Sequence, residues 1–244
     1  MTPPPTLVLV TGASRGVGLA ICEHLANTGY RVVGAARNNT PEFEALQQRY
    51  AGTVEFVSLD LAQISGHHEW VRRLERQFGP LFGLVNNAGI AYDGVLATMH
   101  ETQIAELIQV NLTGTIVLTK YALRSMLPLR RGRVIQIASI IASTGFNGLS
   151  VYAATKAGLL GFTRSLAREV GRANITVNSV SPGYLETQMS AGLAPDKLEA
   201  IVRRSPLGRL AEVVDVAAAV GYLLSAAGER VTGIDLKVDA GSTS

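Results

Sequence analysis

The feature that most constrains this chain is an alternation. Strand-length apolar runs recur at residues 7–11, 31–35, 54–58, 83–86, 133–138, 175–180 and 234–238. Between them lie helix-patterned stretches at 16–27, 41–50, 66–78, 101–126, 152–170 and 212–225. Several of the runs are β-branched and almost unbroken in apolar character, which marks strands buried on both faces of a parallel sheet. Strand and helix in strict turn build right-handed βαβ crossovers. The expected fold is therefore α/β, a doubly wound parallel seven-stranded sheet. No repeat, linker or low-complexity stretch interrupts it, so residues 1–244 read as a single domain. The rhythm breaks once, at 182–207, a segment rich in Gly, Pro, Ser and Leu with a short helical pattern at 198–204. Insertions beyond strand carboxyl ends cover ligand sites in such folds, so this segment is expected to shape a pocket.

Composition agrees and narrows the function. Hydrophobic residues make up 47% and charged residues 17%, which excludes global disorder. The single cysteine, Cys22, excludes an internal disulfide framework. His24, His67, His68 and His100 stand in no metal-ligand spacing, so no metal is expected, and the His67–His68 pair suits a helix start. The net charge of +3 is spread along the chain without a Lys/Arg run of the kind that binds nucleic acid. No apolar stretch approaches the ~18 residues of a membrane span. The first six residues lack the charged start of a signal peptide. A soluble cytoplasmic protein, engaging neither nucleic acid nor membrane, is the expectation.

The first strand runs into Thr11-Gly12-Ala13-Ser14-Arg15-Gly16-Val17-Gly18 and then a helix. Glycine allows a tight turn and close approach of the backbone to a pyrophosphate, and a helix N-terminus offers that anion free N–H groups. The spacing is G-x-x-x-G-x-G, distinct from the G-x-G-x-x-G dinucleotide fingerprint. A turn that merely packs a helix on a strand would look the same in isolation. Its place between first strand and first helix favours a Rossmann-type dinucleotide site. An acid ending the second strand would select NAD through the ribose hydroxyl. Here the chain reads Gly34-Ala35-Ala36-Arg37-Asn38. Arg37, with Arg15 from the turn, suits the 2′-phosphate of NADP.

Tyr152 and Lys156 stand four apart on a predicted helix and share a face. A phenol titrates near ~10, and a nearby ammonium stabilises its anion, so the pair is a sensible acid/base unit. Ser139 follows an apolar strand at its carboxyl end, where it can donate to a carbonyl oxygen.

These motifs together resemble the short-chain dehydrogenase/reductase family over essentially the whole chain. The turn at 11–18 resembles its cofactor turn, and Asn86-Asn87-Ala88-Gly89 its motif after the fourth strand. Asn111, Ser139, Tyr152 and Lys156 match its catalytic tetrad. Asp60-Leu61 matches the adenine-side contact, and Pro182-Gly183 with Thr187 the segment holding the nicotinamide. Within the family the likeness is to 3-oxoacyl-acyl-carrier-protein reductases, through Tyr152-Ala-Ala-Thr-Lys156-Ala-Gly158 and the stretch 175–183. Ala240 departs from the pattern, standing where the family often has the first of two glycines.

The resemblance implies reduction of a carbonyl to a secondary alcohol with NADPH, most readily of a 3-oxoacyl thioester. Reduction of free ketones or aldehydes, or oxidation of secondary alcohols, stays open, as does a dinucleotide-sensing protein without chemistry. The cofactor would touch Gly12, Ser14, Arg15, Gly16, Val17, Gly18, Arg37, Asp60, Leu61, Asn87, Ala88, Gly89, Tyr152, Lys156, Pro182, Gly183 and Thr187. The substrate would meet Ser139, Phe146, Leu149, Tyr152 and Tyr184. Tyr152 would donate the proton, Lys156 would hold the ribose and lower the Tyr152 pKa, and Asn111 would bind a water linked to Lys156. The resemblance further implies that the helices at 101–126 and 152–170 form a dimer interface, within a homodimer or homotetramer. Arg130, Arg131, Arg164, Arg168 and Arg172 form a candidate patch for an acidic acyl carrier protein, or simply a solvated face.

Overall fold

The computed structural model describes residues 6–185 and 195–244. Among them, seven strands carry the sheet: β1 (Leu7–Thr11), β2 (Arg31–Ala36), β3 (Val54–Ser58), β4 (Gly83–Asn86), β5 (Gly132–Ile137), β6 (Ile175–Pro182) and β7 (Asp235–Val238). All neighbours pair in parallel, in the order β3-β2-β1-β4-β5-β6-β7. The chain is thus the doubly wound α/β fold that its alternation predicts, with the order reversing between β1 and β4.

The helices are α1 (Gly16–Asn27), α2 (Pro41–Arg49), α3 (His67–Phe78), α4 (Glu101–Ile108), α5 (Thr115–Leu129), α6 (Ile141–Thr144), α7 (Ser150–Val170), α8 (Pro195–Arg204) and α9 (Val213–Leu224). They cover both faces of the sheet, and this is why its strands read as unbroken apolar runs. Leu7 and Leu9 pack on one face with Trp70, Leu74, Leu118 and Met126. Val8 and Val10 pack on the other with Ile21, Leu25, Val216 and Val220. Each such side chain contributes roughly 1.5–3 kcal/mol on full burial. A one-residue slip of β1 would exchange the two sets between differently shaped cores.

Beyond shifts of one to three residues at several element ends, such as β6 running on to Pro182, the structure departs from the sequence reading as follows. The stretch 101–126 is not one helix: α4 and α5 are separated by a π-helical turn at Gln109–Gly114. Such a turn accommodates one extra residue and rotates a side chain inward, here Asn111, only 1% exposed. Apolar periodicity on either side hides it. The fifth strand begins at Gly132 and ends at Ile137, so Ser139 stands two residues beyond it, just before the short α6. The last strand begins at Asp235, one residue later than its pattern. The helix in the 182–207 segment begins at Pro195 rather than residue 198. Thr187 lies outside the described residues.

Candidate active site

The site gathers where the sheet order reverses. Thr11 closes β1, and its Oγ1 accepts from the N–H groups of Asn87 and Ala88, both at 3.0 Å. The Asn87 carboxamide donates back to the carbonyls of Thr11 at 2.9 Å and Gly12 at 3.1 Å. These bonds lace the turn after β1 to the turn after β4. The sequence reading includes Thr11 in the turn at 11–18 but assigns it no role, because a threonine ending a β-rich run carries no signal of its own. Asn86, first of the two asparagines, instead braces the core, where its Nδ2 donates to Thr119 Oγ1 at 2.8 Å.

The lacing requires glycine. Gly12 has φ +64°, and a Cβ there would stand 2.7 Å from Ala88 Cα. At Gly18 a Cβ would stand 2.2 Å from the Gly12 carbonyl oxygen. With both in place, α1 begins directly against the strand ends. Its N-terminus is left open: Arg15 at the N-cap makes no capping side-chain bond, and the first turn holds no acid. Free N–H groups and the positive dipole end therefore serve the turn formed by Ser14, Arg15, Gly16 and Val17, which is the donor set a diphosphate needs. Arg15 and Arg37 are exposed. Neither is ion-paired among the described residues. The Arg37 carbonyl accepts from Ser58 Oγ at 3.0 Å, which anchors the residue where β2 and β3 end. Asp60 is exposed and folds the next turn by accepting from the Ala62 N–H at 3.0 Å, while Leu61 is buried. The residues fit a dinucleotide along this edge.

The structure brings the four candidate catalytic residues together. Lys156 is 4% exposed, and its Nζ donates to the Ile137 carbonyl at 2.8 Å. That Nζ stands 5.7 Å from the centre of the Tyr152 ring. Ser139 lies close enough to Tyr152 to favour its phenolate form. Gly89 passes close by: a Cβ there would lie 3.3 Å from Asn111 Oδ1 and 3.5 Å from Lys156 Nζ. Asn111 itself is committed to the backbone. Its Oδ1 accepts from Ile90 N–H at 2.8 Å, and its Nδ2 donates to the Ile90 carbonyl at 2.9 Å and Thr155 Oγ1 at 3.2 Å. Asn111 thereby holds the loop after Gly89 against α7.

Burial sets the electrostatics. It raises the Tyr152 phenol above its ordinary value, with Ser139 acting in opposition. It lowers the Lys156 ammonium to about 8. In the free protein, then, desolvation dominates at Tyr152, and the expected lowering by Lys156 is not among the causes acting on it. The phenol stays protonated at neutral pH, which is the state a proton donor requires.

Pro182 ends β6 and accepts from the Ile140 N–H at 3.1 Å, beside Ser139. Gly183 donates its N–H to the Val238 carbonyl at 2.9 Å. Tyr184 and Leu149 are half-buried. Gly94 N–H donates to the Gly148 carbonyl at 3.0 Å and joins the loops that follow β4 and precede α7. On these loops Val95, Leu96 and Phe146 are 61%, 54% and 57% exposed, an apolar mouth of which the sequence reading names only Phe146.

A family profile described as enoyl-(acyl carrier protein) reductase matches residues 12–243. The 3-oxoacyl-[acyl-carrier-protein] reductase of Escherichia coli is 38% identical over 235 residues, 96% of either chain. The chain belongs to the short-chain dehydrogenase/reductase family. Reductases of the same name from Vibrio cholerae and Pseudomonas aeruginosa are 37% and 38% identical, again over 96% of both chains. This dehydrogenase/reductase is therefore an oxidoreductase acting on CH–OH groups with a nicotinamide dinucleotide. Among its described residues no helix is long and apolar enough to cross a membrane.

Proposed function

We propose that this enzyme reduces a 3-oxoacyl thioester, presented on an acyl carrier protein, to the 3-hydroxyacyl thioester with NADPH in the cytoplasm. The observation that carries the reading is the Ser139–Tyr152–Lys156 cluster beside Gly89, with Lys156 buried and Ser139 and Tyr152 half-buried, in a chain similar throughout its length to 3-oxoacyl reductases. Gly12, Ser14, Arg15, Gly16, Val17 and Gly18 hold the diphosphate. Arg37 and Arg15 take the 2′-phosphate, and Asp60 and Leu61 flank the adenine. Asn87, Ala88, Gly89, Pro182, Gly183 and Thr187 line the nicotinamide side. The bound cofactor supplies a hydride to the carbonyl carbon. Ser139 and Tyr152 donate hydrogen bonds to the carbonyl oxygen, and Tyr152 passes it a proton, giving the alcohol. Lys156 orients the ribose and stabilises the phenolate left behind.

Phe146, Leu149 and Tyr184 are assigned to the substrate. The exposed apolar mouth at Val95, Leu96 and Phe146 supports a second reading, reduction of bulky free ketones. NADPH consumption separates the two. Acetoacetyl thioester turned over at least tenfold faster, in kcat/KM, than every member of a free-ketone panel supports the first reading; the reverse order overturns it. A dinucleotide sensor without turnover is disfavoured by the assembled tetrad.

For the carrier, Arg130 Nη2 donates to the Arg172 carbonyl at 2.7 Å, joining Arg130 to the exposed Arg164, Arg168 and Arg172 of the α7 end. That patch begins about 18 Å along α7 from Tyr152, at Arg164, and extends away from it, at ~1.5 Å per residue. The substrate reading therefore rests on the catalytic cluster and the relatives rather than on these arginines. Exposed Ile108, Leu127 and Leu129 on α4 and α5 support a homodimer or homotetramer. Light scattering that finds only monomer refutes that assembly.

A further inference from the structure

The carboxyl ends of the strands carry the catalytic cleft. The opposite edge carries a second concentration of chemistry that this function does not use. Phe82 precedes β4, and two guanidinium groups lie over its ring, Arg131 at 4.6 Å and Arg133 at 5.4 Å from the centre. Tyr30, just before β2, stacks on the same ring at 6.5 Å with planes 14° apart. Arg131 therefore does not join Arg130 in the α7 patch. It turns instead to the edge where β1, β2, β4 and β5 begin, about 20 Å from Ser139 along β5.

Arg133 is the unusual member. It is 6% exposed, its Nη1 donates to the Gly132 carbonyl at 2.9 Å, and its buried Nε has no partner. Buried donors are nearly always satisfied, and an unsatisfied charged one is costly. Two like charges share one ring, and neither pairs with a carboxylate among the described residues. Glu229, the acid that acts electrostatically on Arg133, pairs with Arg230 at 3.4 Å. Aromatic faces hold guanidiniums in place, and fixed guanidiniums recognise the oxygens of a phosphoryl group through paired N–H donors.

We propose that Arg131, Arg133 and the Tyr30 hydroxyl form a binding site for a phosphoryl group, separate from the cofactor cleft. The group arrives either as free phosphate or as the phosphate of a nucleotide. Occupancy supplies the directly paired anion that the two guanidiniums lack among the described residues.

The test uses the protein saturated with NADPH, so that the cofactor cleft is filled. Inorganic phosphate and AMP are titrated separately at constant ionic strength, with sodium chloride as the reference. Binding is followed by calorimetry and by the thermal midpoint. Saturable binding of either probe, weakened at least fivefold by Arg131→Gln and by Tyr30→Phe, supports the site. AMP binding more tightly than phosphate identifies a nucleotide, and equal affinity identifies the phosphoryl group alone. Arg131 is exposed, so its replacement leaves the fold intact even where Arg133→Met does not. Midpoints that follow chloride, or equal binding by wild type and Arg131→Gln, overturn the proposal.

Discussion

The floor and the mouth of the catalytic cleft are built on different principles. On the floor, Thr11, Gly12, Gly18 and Asn87 are fixed by backbone geometry. Hydrogen bonds of 2.9–3.1 Å cross the point where the sheet reverses, and any Cβ at either glycine would strike backbone. At the mouth, Val95, Leu96 and Phe146 are more than half exposed, and the main tie between their loops is one bond from Gly94 to Gly148. A residue whose backbone surroundings admit few alternatives is specified by the fold. One facing solvent is left to the ligand. The floor is therefore where backbone geometry dictates the residue, and the mouth is where the proposed substrate contacts leave it free.

Changes at the reacting centre should have the largest effect. Tyr152→Phe removes the proton donor and should lower kcat by about 100-fold or more, since general acid catalysis contributes ~10²–10⁴. NADPH binding, measured by fluorescence titration, should change little. Turnover within a few-fold of wild type would remove Tyr152 from the mechanism. Next comes the floor itself. Gly18→Ala places a methyl 2.2 Å from the Gly12 carbonyl oxygen. Overpacking costs about 1–3 kcal/mol, and the displaced turn should weaken NADPH by roughly tenfold or more. Unchanged affinity and unfolding midpoint would show that the floor yields as easily as the mouth.

At the outer rim of the floor, Arg37→Asp should shift the NADPH/NADH ratio of kcat/KM toward NADH by about tenfold or more, the loss expected for charge-assisted hydrogen bonds to a phosphate. An unchanged ratio would exclude Arg37 as the phosphate contact. Lys156 gives a pH signature. With its ammonium held to about 8 by burial, kcat/KM for reduction should fall as pH rises through that value. Stability moves the other way. The folded chain binds fewer protons at Lys156 than the unfolded chain, whose lysine titrates near ~10.4, so stability should rise between about pH 8 and 10.4. Lys156→Met should abolish that rise in urea titrations while eliminating activity. An undiminished rise in the variant would assign it to another group.

What the residues alone make legible follows the same division. Alternating apolar runs are a direct record of a sheet covered on both faces, so the fold is readable from their spacing. The glycine turn and the tetrad are readable because their chemistry tolerates few residue types. Thr11 is not, since its hydroxyl matters only once Asn87, 76 residues later, is brought beside it. The π-helical turn is hidden because one inserted residue barely disturbs apolar spacing, and with it the positioning role of Asn111. The separation of Arg131 from Arg130 is equally hidden. Adjacent arginines look like one patch until φ +48° at Arg130 turns the chain and sends the second onto Phe82.

The smallest effect is the one that most directly tests the contrast. Phe146 is 57% exposed and packs on neither core cluster, so Phe146→Ala should leave stability within about 0.5 kcal/mol of wild type. NADPH affinity should also be unchanged, because the lacing from Thr11 to Asn87 does not involve the mouth. What should move is discrimination between short and long acyl thioesters. An apolar contact of this size is worth ~1–3 kcal/mol when a ligand buries it, and partial exposure reduces that to a few-fold change in kcat/KM for the longer chains alone. Uniform loss across all chain lengths would mean that Phe146 supports the catalytic loop rather than the substrate, and the division between floor and mouth would then have to be drawn beyond Leu149.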